Sequence, residues 1–118
     1  MCIFCKIVEG EIPSNKILEN SEFLCFHDAN PRAPIHLLII PKVHVEKFQD
    51  ASASLIGAIT PFIQEVATKM GLDLSGYRLI VNNGENGGQE VPHLHFHLLG
   101  GTKLSWPHFS KNETHKAL

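Results

Sequence analysis

No stretch of this chain stays apolar for anything near the ~20 residues that a membrane-spanning helix needs, so no membrane partner is expected. A basic excess is missing as well. Lys and Arg number 10 against 12 Asp and Glu, a formal net charge of -2, and a nucleic-acid partner is not expected either. Cysteine is scarce and odd in number. Three cysteines cannot all pair internally, and in a reducing compartment they serve as thiols or metal ligands rather than disulfides. The opening MCIFCKIVEGEIP turns charged too early for a signal-peptide core, which points to the cytoplasm. Repeats, low-complexity tracts and linkers are also lacking. What is present is an ordinary globular composition, 43% hydrophobic and 19% charged over 118 residues, enough for one hydrophobic core.

The first half reads as short extended segments. In KILENSEFLCFHD two apolar stretches flank a polar turn at 19–22, the pattern of a β-hairpin. Asn30-Pro31-Arg32-Ala33-Pro34 marks a loop, because each proline biases its predecessor away from the helical region. IHLLIIPK follows as a mostly buried strand ending near Pro41. From Ser52 to Met70 the period changes. Leu55, Ile59, Phe62, Val66 and Met70 recur at helical steps and predict one helix with a single buried face. Ser52 or Ser54 can cap its start and Gly71 its end. Pro61 removes one helical bond and presses on the carbonyl of Gly57, so a kink or break is expected there. YRLIVNN predicts a strand, GENGGQE a glycine-rich turn and VPHLHFHLL the last main strand. The order amounts to an α+β fold, with a largely antiparallel sheet and one main helix.

Chemistry concentrates in EVPHLHFHLLGG, residues 90–101. Successive side chains on a strand point to opposite faces, so His93, His95 and His97 share one face while Leu94, Phe96 and Leu98 face the helix. Neighbouring rings anchored roughly 7 Å apart can converge on one small group. A solvated histidine-rich face is one reading, and a His-x-His metal site is a second. The third is acid–base and nucleophilic work at phosphorus, where neutral imidazole attacks and imidazolium donates a proton. Spacing alone leaves the last two open. The turn Asn82-Asn83-Gly84-Glu85-Asn86-Gly87-Gly88-Gln89, just upstream, can present backbone N–H groups to an anion and favours an anionic substrate. By itself it is an ordinary connecting turn.

His93-Leu94-His95-Phe96-His97-Leu98-Leu99 resembles the alternating signature of the histidine triad (HIT) family. The similarity covers nearly the whole chain. IFCKIVEGEIPSNKILENSEFLCFHDANPRAPIHLLIIPKVH resembles the family's N-terminal half, and HLLGG with Trp106-Pro107 resembles its Hint branch of nucleoside phosphoramidases. The resemblance implies a HIT domain over residues 1–110, a polar tail over 111–118, and a homodimer whose two protomers share a ten-stranded sheet. It implies attack on a purine nucleotide's α-phosphorus by His95, giving a nucleotidyl-histidine that water hydrolyses to a nucleoside monophosphate. His97 then stands as proton donor near the bridging atom, His36 steadies the nucleophile's ring, and His93 orients. No cofactor is required for that chemistry.

The nucleotide-binding positions carry over by the same resemblance. Asp28 corresponds to the acid that accepts both ribose hydroxyls, a task that suits two acceptor oxygens; alone, it is equally a turn-forming Asp before Ala-Asn-Pro. Ile3, Phe4, Ile7, Phe26 and His27 resemble the slot around the base, although without the family they read as core. Asn82, Gly88 and Gln89 match the segment that meets the α-phosphate. Glu90 is a departure, since the Hint pattern usually has Ser there, and a carboxylate beside a phosphate is repulsive unless it points away or meets a cationic leaving group. Ala29 is smaller than the branched residue common at its position. Trp106-Pro107 resembles the segment that reaches the partner subunit's site.

Cys2-Ile3-Phe4-Cys5 is a C-x-x-C with only Met1 before it, which leaves no strand for a redox motif and favours zinc over two buried thiols. The family resemblance supplies the remaining ligands, His44 after Pro41-Lys42-Val43 and His93. Cys2, Cys5, His44 and His93 would form a closed, structural zinc site. Cys25, inside FLCF, reads as core, and His108 and His115 as solvated. Two alternatives to a phosphoramidase stay open: a dinucleoside polyphosphate hydrolase, and a nucleotide-binding or zinc-bearing interaction module with little catalysis.

Overall fold

The structure, a computed structural model, describes residues 2–106. Pro107, His108, His115 and the tail over 111–118, with the expectations attached to them, lie outside the described residues. The elements run α1 (Ile3–Val8), β1 (Lys16–Glu19), β2 (Phe23–His27), β3 (Ile35–Pro41), a 3-10 turn (Phe48–Asp50), α2 (Ala53–Lys69), β4 (Arg78–Val81) and β5 (Phe96–Gly100). The five strands form one antiparallel sheet in the order β1-β2-β3-β5-β4. This is the α+β architecture expected, with one long helix. No helix among the described residues is long and apolar enough to cross a membrane.

Strands β2 and β3 are buried on both faces over most of their length, and their alternation divides the core. Phe23, Cys25, Leu37 and Ile39 face α2 and join Ile59, Phe62, Ile63, Val66 and Ala67. Leu24, Phe26, Leu38 and Ile40 face the other way and pack against Phe4 and Ile7 of α1. Cys25 is core, as expected, and burial pushes its thiol up to about 12. The hairpin turn is closed by Asn20, whose Oδ1 accepts from the N–H of Glu22 at 2.9 Å and of Phe23 at 2.7 Å.

Three expectations change. The N-terminal segment is not extended but forms α1, with the Cys2 thiol accepting from Cys5 N–H at 3.3 Å. Six residues are too few to show a helical period, and Phe4 and Ile7 hold the helix by packing rather than propensity. Of the kink or break expected at Pro61 the break does not occur: α2 continues through it, with Pro61 and Gly57 both on the exposed face, where water can serve the carbonyl left without a partner. The last strand begins only at Phe96. Pro92 has no N–H to offer, and His93 N–H turns back to the Val91 carbonyl at 2.8 Å, so residues 91–95 leave the ladder. The alternation nevertheless persists, with Leu94, Phe96 and Leu98 all in the helix-side core.

The ends of α2 match their signals. Ser52 Oγ accepts from Leu55 N–H at 3.0 Å. At the other end Gly71, at a φ of 72°, closes a Schellman turn in which Leu72 N–H reaches the Ala67 carbonyl at 2.9 Å and Gly71 N–H the Thr68 carbonyl at 3.1 Å. Two substitutions in α2 should therefore move stability in opposite directions. Ser52→Ala is expected to destabilise by about 1 kcal/mol. Pro61→Ala is expected to stabilise by about 1–2 kcal/mol, by restoring a helical bond. Urea unfolding of both variants reads this, and a destabilised Pro61→Ala would refute the account of an unstrained solvent-side proline.

Candidate functional site

Because α1 is only six residues long, it covers the β2–β3 part of its face and leaves the β5–β4 part open. At the boundary lies a cleft of about 290 Å³. Ile3, Phe4, Ile7, Phe26 and Leu38 supply an apolar wall, and Asp28, Asn82, Gly88, Glu90, His95 and His97 supply polar groups.

His95 is 7% exposed and its Nδ1 lies 2.7 Å from the backbone carbonyl of His93. A carbonyl only accepts, so Nδ1 carries the proton and the lone pair sits on Nε2. Phe4 meets the ring nearly at right angles, centroid to centroid 5.1 Å, and the His97 ring also lies 5.1 Å away.

A second chain of bonds orients His97. Arg32 backbone N–H donates to His36 Nδ1 at 3.1 Å, so the proton of neutral His36 lies on Nε2. That N–H faces His97 Nδ1 at 2.9 Å, with Asp28 Oδ2 at 3.3 Å. His97 Nδ1 is then an acceptor, and its Nε2–H is left for a substrate. Burial is the chief reason that His97 is held down to about 4, helped by the neighbouring His95 and His36 rings, with Asp28 opposing. His36 is also lowered, first by burial, against the pull of Asp28. Asp28, His36 and His97 come within ligand reach of one another, yet their protons and lone pairs already match without an ion.

His93 departs from the expected convergence. Its ring does not join His95 and His97 but turns to the thiols, with Nδ1 3.2 Å from Cys2 Sγ, 3.6 Å from Cys5 Sγ and 3.2 Å from His44 Nδ1. Cys5 Sγ lies 3.4 Å from His44 Nδ1. Tetrahedral bonds of roughly 2.0–2.3 Å put ligand atoms about 3.3–3.8 Å apart, close to this set. His93 Nε2 lies 2.9 Å from the Pro41 carbonyl, which keeps the proton there and turns the Nδ1 lone pair to the cluster. Burial lowers His93 and so favours the neutral form a metal needs. Burial first, and then the Cys2 thiol, raises Cys5, a bias that a bound cation would reverse. The four residues fit a metal.

Other positions fall differently from expectation. His36 touches His97 and Asp28 rather than the ring of His95, which the His93 carbonyl holds instead. His27 is exposed at the end of β2 and does not line the cleft. Gln89 does not line it either. Its Oε1 accepts from Gly84 N–H at 2.9 Å, and its Nε2 donates to the carbonyls of Glu46 and Val91. The expected N–H nest is largely closed on itself, since Gly88 N–H reaches the Glu85 carbonyl and Gln89 N–H the Gly84 carbonyl. Gly87 is required by close approach, because a Cβ there would lie 2.6 Å from the Asn83 carbonyl oxygen. Asp28 Oδ1 accepts from Asn30 N–H at 2.8 Å, closing the turn as its turn reading had it, and the residue also lines the cleft. Arg32 and Leu38 were missed. Leu38 could have been found two residues after His36 on the same face of β3, whereas nothing in the loop sequence singled out Arg32.

A family model for the HIT domain matches residues 9–104. An uncharacterized HIT-like protein of Helicobacter pylori is 50% identical over 103 residues, spanning 87% of this chain and 99% of that protein. The crystal structure of a HIT family hydrolase from Legionella pneumophila superposes with a TM-score of 0.86 at 44% identity, covering 91% of this chain and 98% of that one. A histidine triad nucleotide-binding protein from Candida albicans gives 0.79 at 35% identity, covering 95% and 87%.

The lowered histidines imply a pH dependence of stability. Free in the unfolded chain, His36 and His97 would titrate near 6.5, whereas the folded His97 does so at about 4. The unfolded chain binds those protons first, so the fold loses stability as pH falls from about 6.5 towards about 4 and is untouched by these groups above that window. Thermal unfolding between about pH 7.5 and about pH 4.5 should show a falling Tm, and His97→Gln should flatten the slope. An unchanged slope in the variant would remove His97 from the explanation.

Proposed function

The chain belongs to the HIT domain family, and from that premise we propose that it is a nucleotide hydrolase of the Hint-like branch, cleaving purine nucleoside 5′-phosphoramidates through a nucleotidyl-histidine on His95. One observation carries the reading. The His93 carbonyl holds the Nδ1–H of His95 at 2.7 Å, which leaves a neutral imidazole with its Nε2 lone pair available in a cleft it shares with His97 and Asp28.

The base enters between Ile3, Phe4, Ile7, Phe26 and Leu38, and the ribose hydroxyls donate to the Asp28 carboxylate. His95 Nε2 attacks the α-phosphorus. A P–N bond to imidazole forms as the bond to the leaving nitrogen breaks, and His97 gives that nitrogen its proton. His97 is neutral in the empty cleft, but an α-phosphate beside it favours the imidazolium, so the substrate generates the acid it requires. Water then attacks phosphorus, its proton returns to His97, and His95 leaves with the nucleoside monophosphate released. The nucleotide-binding and hydrolase names of the similar proteins support this direction.

Zinc in the Cys2-Cys5-His44-His93 cluster would be structural, pinning α1 and its apolar wall to the chain that carries the nucleophile. Three free thiols among the described residues suit a reducing cytoplasm. A homodimer is supported by β4, which ends the sheet with Leu79 44% exposed; a second copy paired there would extend the sheet to ten strands. Glu90, lining the cleft beside His95, favours one rival, a nucleotide-binding module with little turnover.

Assays with adenosine 5′-phosphoramidate separate these readings. Wild type should turn over and His95→Asn should lose at least about 10³-fold in kcat while still binding AMP. Nucleotide binding with no wild-type turnover would leave only the module. For the metal, mass spectrometry under native conditions should find one zinc per chain, lost in Cys5→Ser and His44→Ala. Chelation should lower Tm by about 5 °C or more. A metal-free wild type of unchanged Tm after zinc addition would dismiss the site.

A further inference from the structure

His97 separates two cavities on one face of the sheet. Beyond the nucleotide cleft lies a second, of about 400 Å³, lined by Arg32, Arg78, Leu104 and Ser105 among others, and the two share Arg32, Asn82 and His97. The register explains the meeting: Ile80 of β4 lies opposite His97, and Arg78 opposite Leu99, so Arg78 projects on the side of the sheet that carries His97.

The charge of this second cavity is one-sided. Arg32 and Arg78 line it and no carboxylate does; the nearest acid the ion pairs show, Asp28, is turned to His36 at 3.3 Å from the cleft side. Among the described residues neither arginine is ion-paired. Arg78 donates to the Ser105 carbonyl at 2.9 Å and lies 5.1 Å from the centre of the Trp106 ring, neutral partners that leave its charge in place. The charge of Arg32 reaches His36 and His97 and helps to hold both neutral. On the opposite flank of the cleft, a cavity of about 610 Å³ is lined by Glu46, Glu85 and Glu90 against Lys47 alone. The potential therefore rises from the Glu90 side to the side beyond His97. Two like charges on one cavity are costly until an oxyanion accepts bonds from both, and guanidinium groups suit carboxylate and phosphate in particular.

We propose that the Arg32–Arg78 cavity is the leaving-group subsite and that it selects leaving groups carrying an oxyanion of their own, a carboxylate or a phosphate. The inference rests on the hydrolase reading and deepens it. The bond from α-phosphorus to the leaving atom breaks as the bond to His95 Nε2 forms, and His97 supplies the leaving atom's proton. Since His97 borders both cavities, the group it protonates is released on the arginine side. An amino acid joined through its amine to the α-phosphate has its carboxylate there, and a polyphosphate has its next phosphate there. Glu90, on the far flank, repels the same anion and reinforces the direction.

The test compares matched substrates in wild type, Arg78→Gln and Arg78→Lys, with adenosine 5′-phosphoramidate as the common reference. In the carboxylate arm, the adenosine phosphoramidate of glycine is set against that of glycine methyl ester. In the phosphate arm, diadenosine tetraphosphate is set against the reference. We expect kcat/KM to favour the free carboxylate about tenfold, or the tetraphosphate to fall about tenfold relative to the reference in Arg78→Gln, with partial rescue by Lys. The responding arm identifies the oxyanion. A carboxylate-to-ester ratio near one in wild type, together with a tetraphosphate ratio unmoved by Arg78→Gln, would overturn the subsite. If the reference itself is not turned over, the hydrolase reading fails separately. Calorimetric titration of the glycine pair and of the tetraphosphate still reads the subsite. Equal affinities within the pair, with tetraphosphate binding indifferent to Arg78→Gln, would overturn it.

Discussion

A single residue, His93, is held at three points, and the organisation of the site follows from that. Its ring nitrogens are both committed, Nε2 to the Pro41 carbonyl and Nδ1 to the cluster of Cys2, Cys5 and His44. Its backbone carbonyl takes the Nδ1–H of His95 at 2.7 Å. With the ring anchored from both sides the peptide plane has little freedom, and the carbonyl holds the neighbouring imidazole in one tautomer and one orientation. That is a general way to prepare a nucleophile: the third group need not be charged if it is immobile. Residues 91–95 can do this because they leave the sheet; a carbonyl in the ladder would have faced a strand N–H instead.

The sheet divides structural and chemical labour between its faces. On one, α2 closes a continuous apolar layer with β2, β3 and β5. On the other, α1 is too short to cover the strands, so the same alternation that fills the core also exposes His97, Arg78 and Asn82 beside a wall of Phe4, Ile7, Phe26 and Leu38. The cleft is what an incomplete layer leaves behind. Along it Glu46, Glu85 and Glu90 lie beside the glycine-rich turn, Asp28 sits among the histidines in the middle, and Arg32 and Arg78 line the cavity beyond His97.

Much of this was legible where a pattern is local. The hairpin, β3, α2 with its Ser52 and Gly71 caps, and the apolar partition of Leu94, Phe96 and Leu98 all come from short-range periodicity. Pro61 misled because a proline's effect depends on whether the carbonyl it strands is wet. The helix of Ile3–Val8 was invisible because one and a half turns carry no period. His27 and Gln89 line nothing in the cleft: the first points to solvent, and the second bonds within its own turn and to Glu46 and Val91.

By itself, then, the order of residues determined which side chains share a face, which histidines lie near each other, and that two cysteines start the chain three residues apart, since those follow from a fixed rise and twist. Only the tertiary structure decided which nitrogen of each ring is free, that the His93 ring leaves the face it was expected to share with His95 and His97, that His36 meets His97, and that Arg32 and Arg78 look onto one cavity. The reason is directional. A hydrogen bond depends on the position and angle of a partner that, for His36 and His97, lies 61 residues away along the chain, and no local period encodes it.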